Sequence, residues 1–250
     1  MKAFVISLCC SCLLVLRVGV HAQSAAGTEQ VIAELKKVQR DYNAHPLSFR
    51  VKYIYATEQI PGKALDSLNG RMEVSGANFH YWLDSTETMR NERYNIVLFK
   101  EDRIMYLAKP AAVAATSDPL QLMQVALEKA GLSNCEIAVS GHYKVLRLFF
   151  KPGGQYRQMD MTVDTLSGYL RSMRYVVKTA LLTDAPDADA VQQQGYDEYS
   201  VVQASFDQYR RLADDPARFD ERAFFYKKEN EYLATEAYKD YKIFVGSPNL

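Results

Sequence analysis

The chain has 250 residues, 30 of them Lys or Arg and 30 Asp or Glu, with 48% hydrophobic and 24% charged. That much apolar side chain excludes disorder as the main state, and zero net charge without a basic stripe argues against a dedicated nucleic-acid binder. No apolar run reaches the ~20 residues that a membrane-spanning helix needs.

Lys2, the apolar run from Ala3 to Leu16 and the triplet Val20-His21-Ala22 are the parts of a secretory signal peptide. Val20 and Ala22 suit the minus-three and minus-one positions, which predicts removal of residues 1–22 by a cut before Gln23. Cys9, Cys10 and Cys12 do not combine a preceding small residue with a leucine at minus three, as a lipoprotein signal would. Cleavage removes Lys2 and Arg17, leaving 28 basic against 30 acidic residues, with Cys135 the only remaining cysteine. The expected mature protein, residues 23–250, is a single domain, periplasmic or otherwise exported. Its core must be held by burial without an internal disulfide.

Thr28 is placed to cap a helix ending near Tyr42, in which Val31, Leu35, Val38 and Tyr42 draw one apolar stripe. From Leu47 the period changes to two. Leu47, Phe49, Val51, Tyr53 and Tyr55 alternate with Ser48, Arg50 and Lys52, the pattern of a half-buried strand. Asn69-Gly70 reads as a turn, after which Met72 and Val74, then Phe79, Tyr81 and Leu83, keep the alternation. Tyr94–Phe99 and Ile104–Leu107 flank the charged turn 100–103 as a hairpin. Asp118-Pro119 opens a second helix that Gly131 closes.

Further strands are expected at Cys135–Ser140, Tyr143–Phe150, Arg157–Val163 and Tyr169–Val177. The acidic, glutamine-rich stretch 183–195 reads as a flexible loop. Beyond it come a strand over Tyr196–Phe206, a helical turn at Asp215-Pro216, a strand over Ala223–Lys228 and a last strand near Tyr238–Val245. Strands in sequence order with few helices predict an α+β fold, an antiparallel sheet with helices on one face.

The search for chemistry returns little. His45, His80 and His142 show no metal-ligand spacing and read as solvated. Nucleophile elbow, phosphate loop and dinucleotide fingerprint are all missing from the sequence. Cys135 has no histidine near it in sequence and reads as a small buried hydrophobe. Asp184, Asp187 and Asp189 would need a carboxylate where Gly195 stands to complete a calcium loop. The residues therefore support neither an enzyme nor a metal or cofactor.

The apolar inventory is less ordinary, with 17 tyrosines, 11 phenylalanines and 8 methionines. Met159, Met161 and Val163 share a face, as do Tyr169, Met173, Tyr175 and Val177. These faces are either a plain core or the wall of a sheet that stays partly unfilled and receives an apolar ligand. Arg147 and Arg171 interrupt such faces; each is a candidate polar contact for an acidic headgroup, or a solvent-facing charge.

The chain opens on an amphipathic helix, then runs through Phe79-His80-Tyr81-Trp82-Leu83, Tyr94-Asn95-Ile96-Val97-Leu98-Phe99 and Ile104-Met105-Tyr106-Leu107. A helix follows, then Met159-Asp160-Met161-Thr162-Val163-Asp164, Ser167-Gly168 and Tyr169–Tyr175. This order resembles the periplasmic lipoprotein-carrier superfamily, the LolA-like proteins, over roughly Thr28–Val177. The resemblance implies a curved antiparallel sheet, an incomplete barrel, with a few helices packed on its concave face over an apolar cavity. It further implies non-covalent carriage of lipid or lipoprotein acyl chains, without catalysis or cofactor. The candidate wall is then Phe49, Val51, Tyr53, Phe79, Tyr81, Leu83, Met159, Met161, Met173 and Tyr175. The alternative is a structural or interaction protein of the bacterial envelope, with a fully packed sheet and a tyrosine-rich surface for a protein partner.

Overall fold

The computed structural model describes residues 19–60, 63–110, 129–183, 195–229 and 231–247. Helix α1 spans Gly19–Asn43, so Thr28 stands inside it rather than at its cap, with its hydroxyl 3.7 Å from Cys135 Sγ. The apolar stripe is where the spacing places it: Val31 and Leu35 pack on Cys135, Leu146, Leu148, Phe150, Met161 and Val163. The body of the helix expected from Asp118, and nearly all of the loop expected at 183–195, lie outside the described residues.

Strands β1 (Leu47–Thr57), β2 (Ala64–Ser75), β3 (Asn78–Leu83), β4 (Thr86–Arg90), β5 (Asn95–Phe99) and β6 (Ile104–Ala108) form one antiparallel meander. A second is made by β7 (Leu132–Ser140), β8 (Tyr143–Phe150), β9 (Tyr156–Asp164) and β10 (Leu170–Lys178). Strand β11 (Tyr199–Arg211) joins them by pairing with β1 on one side and β10 on the other. Strands β12 (Phe225–Lys228) and β13 (Glu231–Ala234) form a separate hairpin, and β14 (Lys242–Val245) is added to the edge of β6. The result is a curved, open sheet of twelve strands in the order β14-β6-β5-β4-β3-β2-β1-β11-β10-β9-β8-β7.

One local expectation is corrected and two features are added. Asn69-Gly70 is no turn; both residues lie within β2. A Cβ at Gly70 would stand 2.6 Å from the Trp82 carbonyl oxygen and 3.1 Å from the Tyr81 ring, so this glycine admits the neighbouring strand instead of reversing the chain. Strand β4, with Thr86 and Thr88 alternating against Glu87 and Met89, is an addition that charged and hydroxyl side chains hid. Strand β14 runs parallel to β6, because the chain returns to that edge only after crossing the sheet.

The register defines two faces. On the front, Phe49 and Val51 of β1 oppose Met72 and Gly70 of β2, which oppose Tyr81 and Leu83 of β3. In the other direction Tyr53 opposes Ala204, Ala204 opposes Met173, and Met173 opposes Met161. Helix α1 covers the front face over the β7–β10 end. On the back, Met89, Ile96, Leu98, Met105 and Leu107 are wholly buried beneath Phe219, Phe224 and Phe225 of the C-terminal segment. Each such side chain contributes ~1.5–3 kcal/mol by leaving water. The two ends of one sheet are thus buried on opposite faces.

Candidate functional site: the apolar front face at the sheet centre

Between those covered ends the described residues leave a half-exposed apolar stretch of the front face, the basin. All ten candidate wall residues lie on it, brought together from β1, β3, β9 and β10 by the register. Phe49, Val51 and Met161 are buried, whereas Tyr53, Phe79, Tyr81, Leu83, Met159, Met173 and Tyr175 remain half-exposed. Met161 belongs to the core beneath α1, with Met159 and Met173 packed against its margin. None of the buried clusters formed by the described residues contains Tyr53, Phe79, Tyr81, Leu83 or Tyr175.

A ring ladder marks where the covered part ends. Tyr42 of α1 meets Phe49, Tyr169 and Tyr209 edge-on, and Tyr209 stacks on Phe49 at 5.1 Å and on Tyr169 at 4.6 Å. Tyr209 reaches this place through a bulge opposite Ser48 and Arg50, next to Gln208 at φ +53°. The Tyr42 and Tyr209 hydroxyls are 2.6 Å apart, and Tyr209 donates to the Leu170 carbonyl at 2.8 Å.

The basin itself is poor in polar partners. The Tyr175 hydroxyl donates to the Met173 sulfur at 3.3 Å, and burial, followed by the nearby Tyr53 and Tyr156 hydroxyls, pushes its pKa up to about 12. Burial also raises Tyr55 and Tyr81, the latter strongly. The Tyr81 hydroxyl is buried without a hydrogen-bond partner of acceptable geometry among the described residues, although the Tyr53 hydroxyl lies close enough to act on it. Such a surface can take up apolar chains by desolvation, and the described residues place no nucleophile–base pair on it.

Arg147 stands on the back face, between Glu136 on β7 and Asp160 on β9. Arg171 is exposed beside the irregularity between Leu170 and Ser172, close enough to bear electrostatically on Tyr209. Cys135 is buried, and burial raises its thiol. His80, expected in solvent, is corrected. It lies on the back face only 12% exposed, 2.8 Å from Glu87, stacked at 3.8 Å on Trp82 and edge-on to Phe224. Tyr55, Leu68, Met72 and Val202 extend the basin on the same face. Alternation marks the first three, but Val202 needs the pairing of β11 to be placed.

The described residues form an open, curved sheet with a half-exposed apolar side. No protein-family model and no curated protein matches the chain. Among solved structures it is similar to an uncharacterized conserved protein from Thermus thermophilus, at 8% identity over 85% of this chain and 97% of that one, TM-score 0.48. It is also similar to the Pseudomonas aeruginosa MucA/MucB complex, at 11% identity over 76% of this chain and 60% of that one, TM-score 0.40. A third is a LolA superfamily protein from Nitrosomonas europaea, at 10% identity over 76% of this chain and 97% of that one, TM-score 0.36. At identities this low, and TM-scores of 0.48 and below, these likenesses carry no argument about what this chain binds.

Proposed function

We propose that the protein is an exported, non-catalytic carrier that holds lipid or lipoprotein acyl chains on the front face, after loss of residues 1–22 as a signal peptide. The observation that carries this reading is the half-exposure of Tyr53, Phe79, Tyr81, Leu83, Met159, Met173 and Tyr175, seven apolar or aromatic side chains on one face that enter a packed core only at its margin. An exposed apolar patch of this kind marks a binding surface, and methionine gives it an adaptable wall. Each methylene buried there contributes ~0.8 kcal/mol.

The test is native mass spectrometry of the protein purified from a bacterial envelope, together with displacement of a fluorescent fatty acid. An acyl-chain adduct is expected, and Met173→Trp, which fills the basin, weakens probe binding at least tenfold while the far-ultraviolet dichroism is unchanged. A clean apo mass with no probe displacement would sink the proposal.

The alternative, an envelope interaction protein, draws on a separate observation. Phe99, Tyr106 and Phe244 lie on the front at the β14 end, 43%, 38% and 50% exposed. A co-purifying protein lost on Phe99→Ser and Phe244→Ser would favour it.

A further inference from the structure

The back face carries, at the sheet centre, a groove of opposite character. Arg50 on β1 stands directly between Asp207 on β11 and Arg71 on β2, and Arg71 in turn opposes Trp82 on β3. Along β1 on the same face, Lys52 opposes Asn69, and Ser48 opposes Arg210. Two clefts share Arg50 and Arg71, one of about 570 Å³ reaching Lys52 and Trp82, the other of about 220 Å³ reaching Arg210.

Like charges directly opposite each other on one sheet face destabilise it, so the Arg50–Arg71 pair needs a reason. Arg71 is held in place. It pairs with Glu73, donates from Nε to Ser48 Oγ at 3.3 Å, and lies 5.5 Å over the Trp82 ring, which is itself stacked on His80. Its side chain nevertheless remains 57% exposed. Arg50, Lys52 and Arg210 form no ion pair among the described residues, and the groove's carboxylates, Asp84 and Asp207, form none with them. Glu73 is shared between Arg71 and Arg218 and leaves the excess positive. A fixed guanidinium facing an unpaired one, with an ammonium beside them, matches an oxyanion with several acceptor oxygens.

We propose that this groove binds a phosphorylated ligand, its phosphoryl group bridging Arg50 and Arg71 and the rest of the molecule lying toward Lys52 and Trp82. The cleft has the volume of a small-ligand site. The phosphoryl group can belong to a soluble compound or to a lipid headgroup. In either case the site lies on the other side of the sheet from the acyl-chain basin and does not depend on it.

Trp82 is the chain's single tryptophan, so intrinsic fluorescence reports on the groove without a label. The full chain, titrated with inorganic pyrophosphate at constant ionic strength, is expected to show a saturable fluorescence change and a raised Tm. Arg50→Gln weakens the response at least tenfold. Arg71→Lys keeps the charge, loses the fork and also weakens binding, whereas Tyr81→Phe on the front face leaves it unchanged. Sedimentation with phosphatidylglycerol but not phosphatidylcholine vesicles, lost in Arg50→Gln, would assign the ligand to a lipid headgroup. A pyrophosphate response without sedimentation would assign it to a soluble compound. Absence of both, or an equal pyrophosphate response in Arg50→Gln, overturns the proposal.

Discussion

Two buried tyrosine hydroxyls on the same face have opposite consequences for stability. Tyr209 accepts from Tyr42 and donates to Leu170, linking α1 to the β10–β11 ladder, whereas the Tyr81 hydroxyl is buried without a hydrogen bond of acceptable geometry among the described residues. A buried hydrogen-bonded group contributes ~1 kcal/mol per bond, and an unsatisfied one costs ~1–3 kcal/mol. Tyr209→Phe should therefore lower stability by about 1–2 kcal/mol, and Tyr81→Phe should leave it unchanged or raise it, both read from urea denaturation. Equal destabilisation by the two variants would show that the Tyr81 hydroxyl has a partner. His80 makes the same point from the other side. Its alternation with Phe79 and Tyr81 is legible in the sequence, but Glu87 and Phe224 that enclose it lie on other elements.

At the scale of elements, three glutamates are buried where the C-terminal segment covers the back face, and two of them, Glu221 and Glu73, fasten it there. Glu221 accepts from Asn91 at 2.7 Å and pairs with Arg93; Glu73 takes Arg218 at 3.0 Å; Glu87 takes His80 at 2.8 Å and Lys100 at 2.9 Å. Buried carboxylates persist only when paired in this way. Burial alone would raise the Glu87 carboxyl, but the bonds from His80 and Lys100 and their charges outweigh it and hold the pKa below the ordinary 4.5. The folded value is depressed, so the stabilisation is complete above the unfolded pKa and is lost as pH falls through the folded one. Acidification below about pH 4.5 should weaken the protein progressively. The loss should be shallower in Glu87→Gln, measured by denaturant titration across pH 2–6. An unchanged acid slope in that variant would contradict the pairing.

At the scale of the molecule, one sheet serves two large cores, with a smaller cluster of Ala56, Val176, Tyr199 and Val201 besides. Leu146 lies under α1 on the front, Ile96 under the C-terminal segment on the back, and the clusters share no member. Leu146→Ala and Ile96→Ala should each cost ~2–5 kcal/mol, and the double variant should equal their sum within about 0.5 kcal/mol. Strong non-additivity would mean that the two ends are coupled through the sheet. Among the described residues, this arrangement leaves the centre of the sheet outside both covers. The front cover ends at the Tyr42–Tyr209 ladder and the back core at Phe224, so the apolar basin and the cationic groove lie back to back on β1, β2 and β3.

The sequence alone determined which residues of a strand share a side, because a period of two is local and survives any arrangement of neighbours. That is why Tyr143–Phe150 and the common face of Phe49, Val51 and Tyr53 were legible before any strand was paired. Only the tertiary structure decided what each side meets. The β1–β11 pairing joins residues more than 140 positions apart and steps its register at Gln208, while β14 joins β6 in parallel. Glycine in β2 also looks like a turn until β3 is laid against it. Alternation cannot say which face the helix covers, where a second cover stops, or that Arg50 comes to stand opposite Arg71. Those are properties of contacts distant in sequence, which register and packing select.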